Sequence, residues 1–269
     1  MTCERVHDVT DPRLDVFRNL KPRNAERDAG VFVAEGPTVV ERLLRSRCRV
    51  QSLLITDRKL PAFQTRLPVG VPVFVVNDEQ ARTLIGFEFH AGVLASAVRP
   101  VNPPLDSLPV TSETSLLVAG ERITDPENVG ALIRIASAFG ASAVVLGKGS
   151  ADPYSRRVLR VSMGNGLFLP VHEVDDFPAT LELLAAFQEY NTVATVLDAA
   201  SVSLTKTQFA SRTVLVFGNE YAGLSPAVLA ACRRRLTISM LNGTDSLNVA
   251  VAAGICLHEF RRQWPGAES

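Results

Sequence analysis

The chain has 269 residues, of which 46% are apolar and 21% charged, and its formal charges cancel. That length allows two ordinary domains, and the composition is globular rather than disordered. The charge balance excludes a chain that is basic throughout, so any nucleic-acid site has to be a local patch. The four cysteines, Cys3, Cys48, Cys232 and Cys256, are scattered with no Cys-x-x-Cys pair. This argues against a disulfide framework or zinc and for a reducing compartment. Residues 1–8 lack the apolar run of a signal peptide, and no uncharged apolar stretch is long enough to span a bilayer. The expectation is a soluble, cytoplasmic protein with no membrane partner.

In chain order, Val31-Phe32-Val33-Ala34 reads as a strand and Pro37 to Leu44 as a helix with proline in its first turn. Strands follow at 50–55 and 71–76, Asn77-Asp78 caps a helix running toward Leu84, and 92–98 is a fourth strand. Four prolines between Arg99 and Pro109 then forbid a regular element. Residues 1–98 are therefore expected to form a small α/β domain, 99–113 a linker and 114–269 a second domain. In the second domain strands are expected at 115–119, 142–146, 192–197, 213–217 and 236–239. Helices are expected at 126–139, 176–190, 225–233 and 248–262. Such alternation predicts a mostly parallel sheet covered on both faces.

Three stretches could carry chemistry. In the first, Asp125 caps a helix, Pro126 suits its first position and Gly140 ends it. Val129, Leu132, Ile133, Ala136 and Phe139 make one apolar stripe, with Arg134 nearly opposite. Taken alone, Arg134 is an ordinary surface cation of an amphipathic helix. In the second, the strand Val214–Phe217 runs into Gly218-Asn219-Glu220-Tyr221-Ala222-Gly223, where glycines permit close approach of a ligand beyond a strand's carboxyl end. In the third, Ile238 to Met240 ends a strand and Ser246-Leu247-Asn248 opens a small-residue helix, for which capping alone would account.

Together the stretches resemble the three signature motifs of the SpoU (TrmH-like) RNA 2′-O-ribose methyltransferases of the SPOUT superfamily. The resemblance lies in Asn128-Val129-Gly130-Ala131 with Arg134, in Gly218-Asn219-Glu220 with Gly223-Leu224-Ser225, and in Ser246-Leu247-Asn248-Val249. It covers 114–262, and more weakly the leader, through Phe32-Val33-Ala34-Glu35-Gly36 and His90-Ala91-Gly92-Val93. It implies a parallel α/β sheet whose C-terminal segment threads a deep trefoil knot, preceded by a small α/β substrate-binding domain. It also implies an S-adenosylmethionine pocket built from Gly218, Asn219, Glu220, Ile238, Met240, Ser246, Leu247 and Asn248, with Leu197 from the loop after Val196. Many relatives have glycine directly after the motif-two glutamate, whereas this chain has Tyr221.

The implied reaction transfers a methyl group to a ribose 2′-hydroxyl in RNA, ribosomal RNA being preferred to transfer RNA because of the separate leader. Arg134 is nominated as the catalytic residue. A charged guanidinium has no acceptor, so a clamp on the adjacent phosphate that stabilises the developing alkoxide is favoured, with a transient base as the alternative. Asn128, Glu220, Ser246 and Asn248 would orient Arg134 and the ribose, without a metal. RNA contacts are expected from Arg18, Lys21, Arg23 and Arg27 and from Arg156, Arg157 and Arg160. The latter three could equally be a solvated helix face. The small residues Ala250, Ala252, Ala253 and Gly254 of the last helix predict a homodimer. The alternatives are a transfer-RNA methyltransferase, or a catalytically silent RNA-binding or ribosome-assembly factor on the same fold. Gly147-Lys148-Gly149-Ser150 lacks Walker spacing and is not a phosphate loop.

Overall fold

The computed structural model describes residues 3–20, 29–101, 104–105, 114–198 and 200–265. Up to the linker the elements are β1 (Cys3–Arg5), β2 (Val31–Glu35), α1 (Pro37–Arg45), β3 (Val50–Thr56), α2 (Leu60–Phe63), β4 (Val73–Val76), α3 (Asp78–Ile85) and β5 (Val93–Val98). Then come β6 (Ser115–Gly120), α4 (Pro126–Ala138), β7 (Ala143–Gly147), α5 (Arg156–Val161), β8 (Val171–Val174) and α6 (Phe177–Phe187). The chain ends with β9 (Asn191–Thr195), β10 (Val202–Ser203), β11 (Arg212–Phe217), α7 (Pro226–Ala231), β12 (Arg234–Thr237) and α8 (Val249–Gln263). No helix among the described residues is long and apolar enough to cross a membrane.

Two compact units result, Met1–Val101 with Tyr154–Phe168, and Asn102–Pro153 with Leu169–Ser269. The first holds a five-stranded sheet in the order β1-β4-β3-β5-β2. It is mixed rather than mostly parallel, because β5 runs antiparallel to both β3 and β2. Strand-helix alternation does not fix direction when the return is long enough. Here the segment Gly86–Gly92 carries the chain to the C-terminal end of β3, where the Thr56 N–H donates to the Gly92 carbonyl at 2.9 Å. Alternation along the strands splits the core between two faces. Leu53, Ile55, Val73, Val75, Val93 and Ala95 pack on one side, and Leu54, Phe74, Val76 and Leu94 on the other.

The segment 154–168, which the sequence places in the second domain, packs with the first unit. Tyr154, Leu159 and Leu167 complete the core around Phe32, Val40 and Leu43, and the Tyr154 ring lies 5.4 Å from that of Phe32. Arg156 pairs with Glu35 at 2.9 Å and also donates to the Leu20 carbonyl. Arg42 donates to the Met163 carbonyl at 2.5 Å and to Asn165 Oδ1 at 3.1 Å. Apolar residues spaced through an Arg-rich helix gave no sign of which sheet they would cover.

The second unit is a seven-stranded, fully parallel sheet, β10-β12-β9-β11-β6-β7-β8. Phe177, Leu181 and Leu184 of α6 and Val228 of α7 close one face against Leu117, Val145, Val214 and Val216. Helices α4 and α8 pack against each other, α4 also meeting β7 and α8 meeting β11. The predicted start of α4 is realised in detail, since Asp125 accepts from the Glu127 N–H at 2.8 Å and Pro126 needs no donor. Its far end is closed from α8, whose Arg261 donates to the carbonyls of Phe139 at 2.6 Å and Gly140 at 2.7 Å. The α4 terminus is therefore satisfied by a side chain 122 residues away in sequence.

Candidate active site

Beyond the carboxyl ends of β9, β11 and β12, where open parallel sheets take ligands, the second unit has a cleft of about 990 Å³. The starts of α4 and α8 complete its walls. Gly218 opens the loop after β11. A Cβ there would stand 2.4 Å from the Gly223 carbonyl carbon and 2.6 Å from the Leu224 nitrogen, so only glycine fits. Asn219 and Gly223 exchange backbone hydrogen bonds of 3.1 and 2.9 Å. The Asn219 carboxamide staples the turn, its oxygen accepting from the N–H groups of Tyr221 at 3.0 Å and Ala222 at 2.9 Å. Its nitrogen donates to the Arg122 carbonyl at 2.8 Å and approaches Glu220 Oε2 at 3.3 Å. That side chain is used up in holding the loop, leaving the backbone to meet a ligand. The other end of the loop is tied by the buried Glu121, whose carboxylate accepts from the Ser225 N–H at 2.8 Å.

One polar chain joins the three sequence motifs. Asn248 Nδ2 donates to Asn128 Oδ1 at 2.8 Å, and Asn128 Nδ2 donates to Glu220 Oε1 at 2.8 Å. The directions are forced. Asn248 Oδ1 already accepts from the Ala250 N–H at 2.9 Å as the cap of α8, so its nitrogen has to face Asn128. Asn128 is buried and both ends of its amide are satisfied, which a buried amide requires. Such a chain holds the Glu220 carboxylate in one orientation at the edge of the cleft.

The other sequence candidates divide. Leu197, Ile238, Met240, Ser246 and Leu247 line the cleft with Gly218, Asn219, Glu220, Asn128 and Asn248. The Ser246 side chain is exposed and makes no hydrogen bond among the described residues. Arg134 is not part of the lining. It lies six residues along α4 from Asn128, about 9 Å of helix rise, exposed and without a hydrogen bond or ion pair among the described residues. In the first unit Arg18 is engaged by Asp15 at 3.0 Å and by the Val9 carbonyl at 2.8 Å. Lys21, Arg23 and Arg27 lie outside the described residues. Arg156 is held by Glu35, while Arg157 and Arg160 are exposed, the latter 3.8 Å from the same carboxylate. Sequence reasoning missed Thr124, Thr195 and Asp245 as lining residues, whereas Tyr221, which stood out after the motif-two glutamate, does line the cleft. The signal that could have found Thr195 is its place at the carboxyl end of a strand. No group of histidine, cysteine, aspartate and glutamate that could hold a metal ion occurs among the described residues.

Comparison with known proteins shows which family the chain resembles. Residues 115–258 match the model of the SpoU rRNA Methylase family. An uncharacterized tRNA/rRNA methyltransferase of Mycobacterium tuberculosis is 36% identical over 97% of this chain and 93% of its own length. A 23S rRNA (guanosine-2′-O-)-methyltransferase of Acinetobacter baylyi is 33% identical over 73% of this chain and 80% of its own. Among solved structures, an AdoMet-bound rRNA methyltransferase from Sinorhizobium meliloti superposes with a TM-score of 0.83 at 28% identity, covering 98% of this chain and 99% of that one.

Proposed function

Because the chain belongs to the SpoU rRNA methylase family, we propose that it transfers a methyl group from S-adenosylmethionine to a ribose 2′-hydroxyl of RNA, with ribosomal RNA as the substrate. The observation that carries this reading is the Asn248–Asn128–Glu220 chain, which brings all three motifs to the edge of one cleft. The cleft suits the cofactor. Its volume of about 990 Å³ is at the upper end of small-molecule sites, which span roughly 300–1,000 Å³. Leu229, Leu236, Ile238 and Met240 offer apolar surface to a purine, and the acids Glu220 and Asp245 suit an ammonium and a sulfonium. The fully parallel order β12-β9-β11-β6 is compatible with the trefoil knot expected of the family, which belongs to this proposal.

The cofactor supplies an activated methyl group, so the protein's task is placement and proton removal. In-line positioning can contribute about 7–11 kcal/mol in the best intramolecular cases. Asn128, fixed between Glu220 and Asn248, orients the ribose together with the free hydroxyl of Ser246. Arg134 clamps the neighbouring phosphate and stabilises the oxygen as it loses its proton. Because Arg134 does not line the cleft of its own chain, it serves the cleft of a partner subunit in a homodimer. Exposed Val251 and Ile255 on α8, one turn apart with Ala252 and Gly254 between them, support that pairing face. A ribosomal RNA substrate is in keeping with the cytoplasmic location expected from the sequence.

Two measurements test the proposal. Calorimetry should show S-adenosylmethionine binding in the presence of a chelator, and no binding by folded protein would overturn the cofactor assignment. Mapping of 2′-O-methyl sites in RNA from cells with and without the gene should show one ribosomal position lost. Loss at a transfer-RNA position instead would reassign the substrate.

A further inference from the structure

Tyr221 takes no part in the polar chain of the cleft, yet it follows Glu220 directly and belongs to the lining. At 96% exposure it is the most exposed large apolar side chain among the described residues. Its backbone is nevertheless fixed. The Tyr221 N–H donates to Asn219 Oδ1 at 3.0 Å, and Asn219 and Gly223 bracket the turn with two backbone hydrogen bonds. The phenol hydroxyl has no hydrogen-bond partner among the described residues. A rigid anchor thus presents an unpacked aromatic ring beside the carboxylate to which the ribose is brought. Leu197, 65% exposed, adds a second apolar side chain to the same lining from the loop after β9.

Resting on the RNA 2′-O-methyltransferase reading, we infer that the Tyr221 ring is a stacking platform for an unpaired nucleobase of the RNA, at the target nucleotide or its neighbour. Every base has a π-face, and single-stranded RNA is recognised largely by splaying bases onto aromatic side chains. A phosphate would call for a cation at this position instead of a phenol. The purine of the cofactor already has apolar surface in Leu229, Leu236, Ile238 and Met240. Consecutive Cα atoms are about 3.8 Å apart, so a base stacked on Tyr221 has its own sugar within a nucleotide's reach of Glu220. The ring is a positioning residue, holding the ribose by holding its base.

The test compares wild type, Tyr221→Phe and Tyr221→Ala for equilibrium binding of an unmodified 23S rRNA transcript, with S-adenosylmethionine affinity by calorimetry and mass by light scattering in parallel. Stacking on one aromatic predicts RNA binding weaker by about fivefold to a hundredfold in the alanine variant. The phenylalanine variant should stay within about twofold of wild type, since stacking needs the ring and not the hydroxyl. Cofactor affinity and mass should not move, and the deficit should appear as a raised KM for RNA. Unchanged RNA binding in Tyr221→Ala would overturn the inference. So would a loss of cofactor affinity, which would make the ring a cofactor lid, or a halved mass, which would make it an interface residue. If wild type itself bound no S-adenosylmethionine, the enzyme reading would fail first, and the two failures are thereby told apart.

Discussion

Asn128 is the residue on which the site turns, because its one carboxamide serves both neighbours. Asn128→Ala strands the Glu220 carboxylate and the Asn248 amide in a half-buried setting. We expect a stability loss of about 1–3 kcal/mol, read by denaturant unfolding, and a methyl-transfer rate lowered more than stability alone explains. Equal single-turnover rates in mutant and wild type would remove Asn128 from the mechanism. Arg134→Ala should separate the two effects in the opposite sense. An exposed helical side chain without partners is expected to shift stability by no more than about 0.5 kcal/mol. The chemical step should still fall roughly a hundredfold or more, and Arg134→Lys should recover little, since an ammonium lacks the planar fork. The cysteines give a separate check. Burial pushes the thiols of Cys232 and Cys256 up to about 12, so almost no thiolate exists at neutral pH. Maleimide at pH 7 should modify the exposed Cys3 in the folded protein and spare these two, as read by mass spectrometry.

Elements were legible in the sequence where local chemistry decides them. Capping by Asp125 and Asn248 and the proline at 126 placed the starts of α4 and α8 to within a residue. The apolar run ending at Phe217 placed β11 equally well. The three motifs named much of the cleft lining but not Thr124, Thr195 or Asp245, and the direction and partners of the Asn128 amide depend on contacts 92 and 120 residues away. Edge strands β1 and β10 are too short and exposed to carry a pattern. Helix α8 offers a test of assembly. A Cβ on Gly254 would meet nothing within 4 Å in the single chain. In an isolated chain, Gly254→Ala should stabilise the helix by about 0.5–1 kcal/mol. If two copies pair through Val251 and Ile255, the added methyl group stands in their interface and weakens the dimer. Light scattering across a dilution series should show earlier dissociation in the variant, and a monomeric wild type at micromolar concentration would refute the dimer.

At the scale of the whole molecule, the proline-rich stretch near residue 100 reads as a clean boundary, but the chain crosses back. Tyr154–Phe168 belongs to the first unit although it lies between β7 and β8 of the second. Deleting residues 1–101 therefore does more than remove the leader expected to bind RNA. It uncovers Tyr154, Leu159 and Leu167, all nearly inaccessible in the intact protein. It also leaves Arg156 without Glu35 and the Met163 carbonyl without Arg42. Returning each large apolar side chain to water costs about 1.5–3 kcal/mol, and the exposed cluster is an aggregation liability. The simple truncation should express poorly or associate. A second deletion that also replaces 154–168 with a glycine-serine segment of similar length should stay monodisperse, because what remains is the second unit with its own core and cleft. That protein should bind S-adenosylmethionine close to wild-type affinity while its RNA binding falls and loses salt dependence, if the arginines of these segments are the ones that neutralise phosphates. If the simple truncation proved as soluble and as cofactor-competent as the double deletion, the 154–168 segment would need no shelter from the first unit. The leader would then be the separable domain that the prolines suggest.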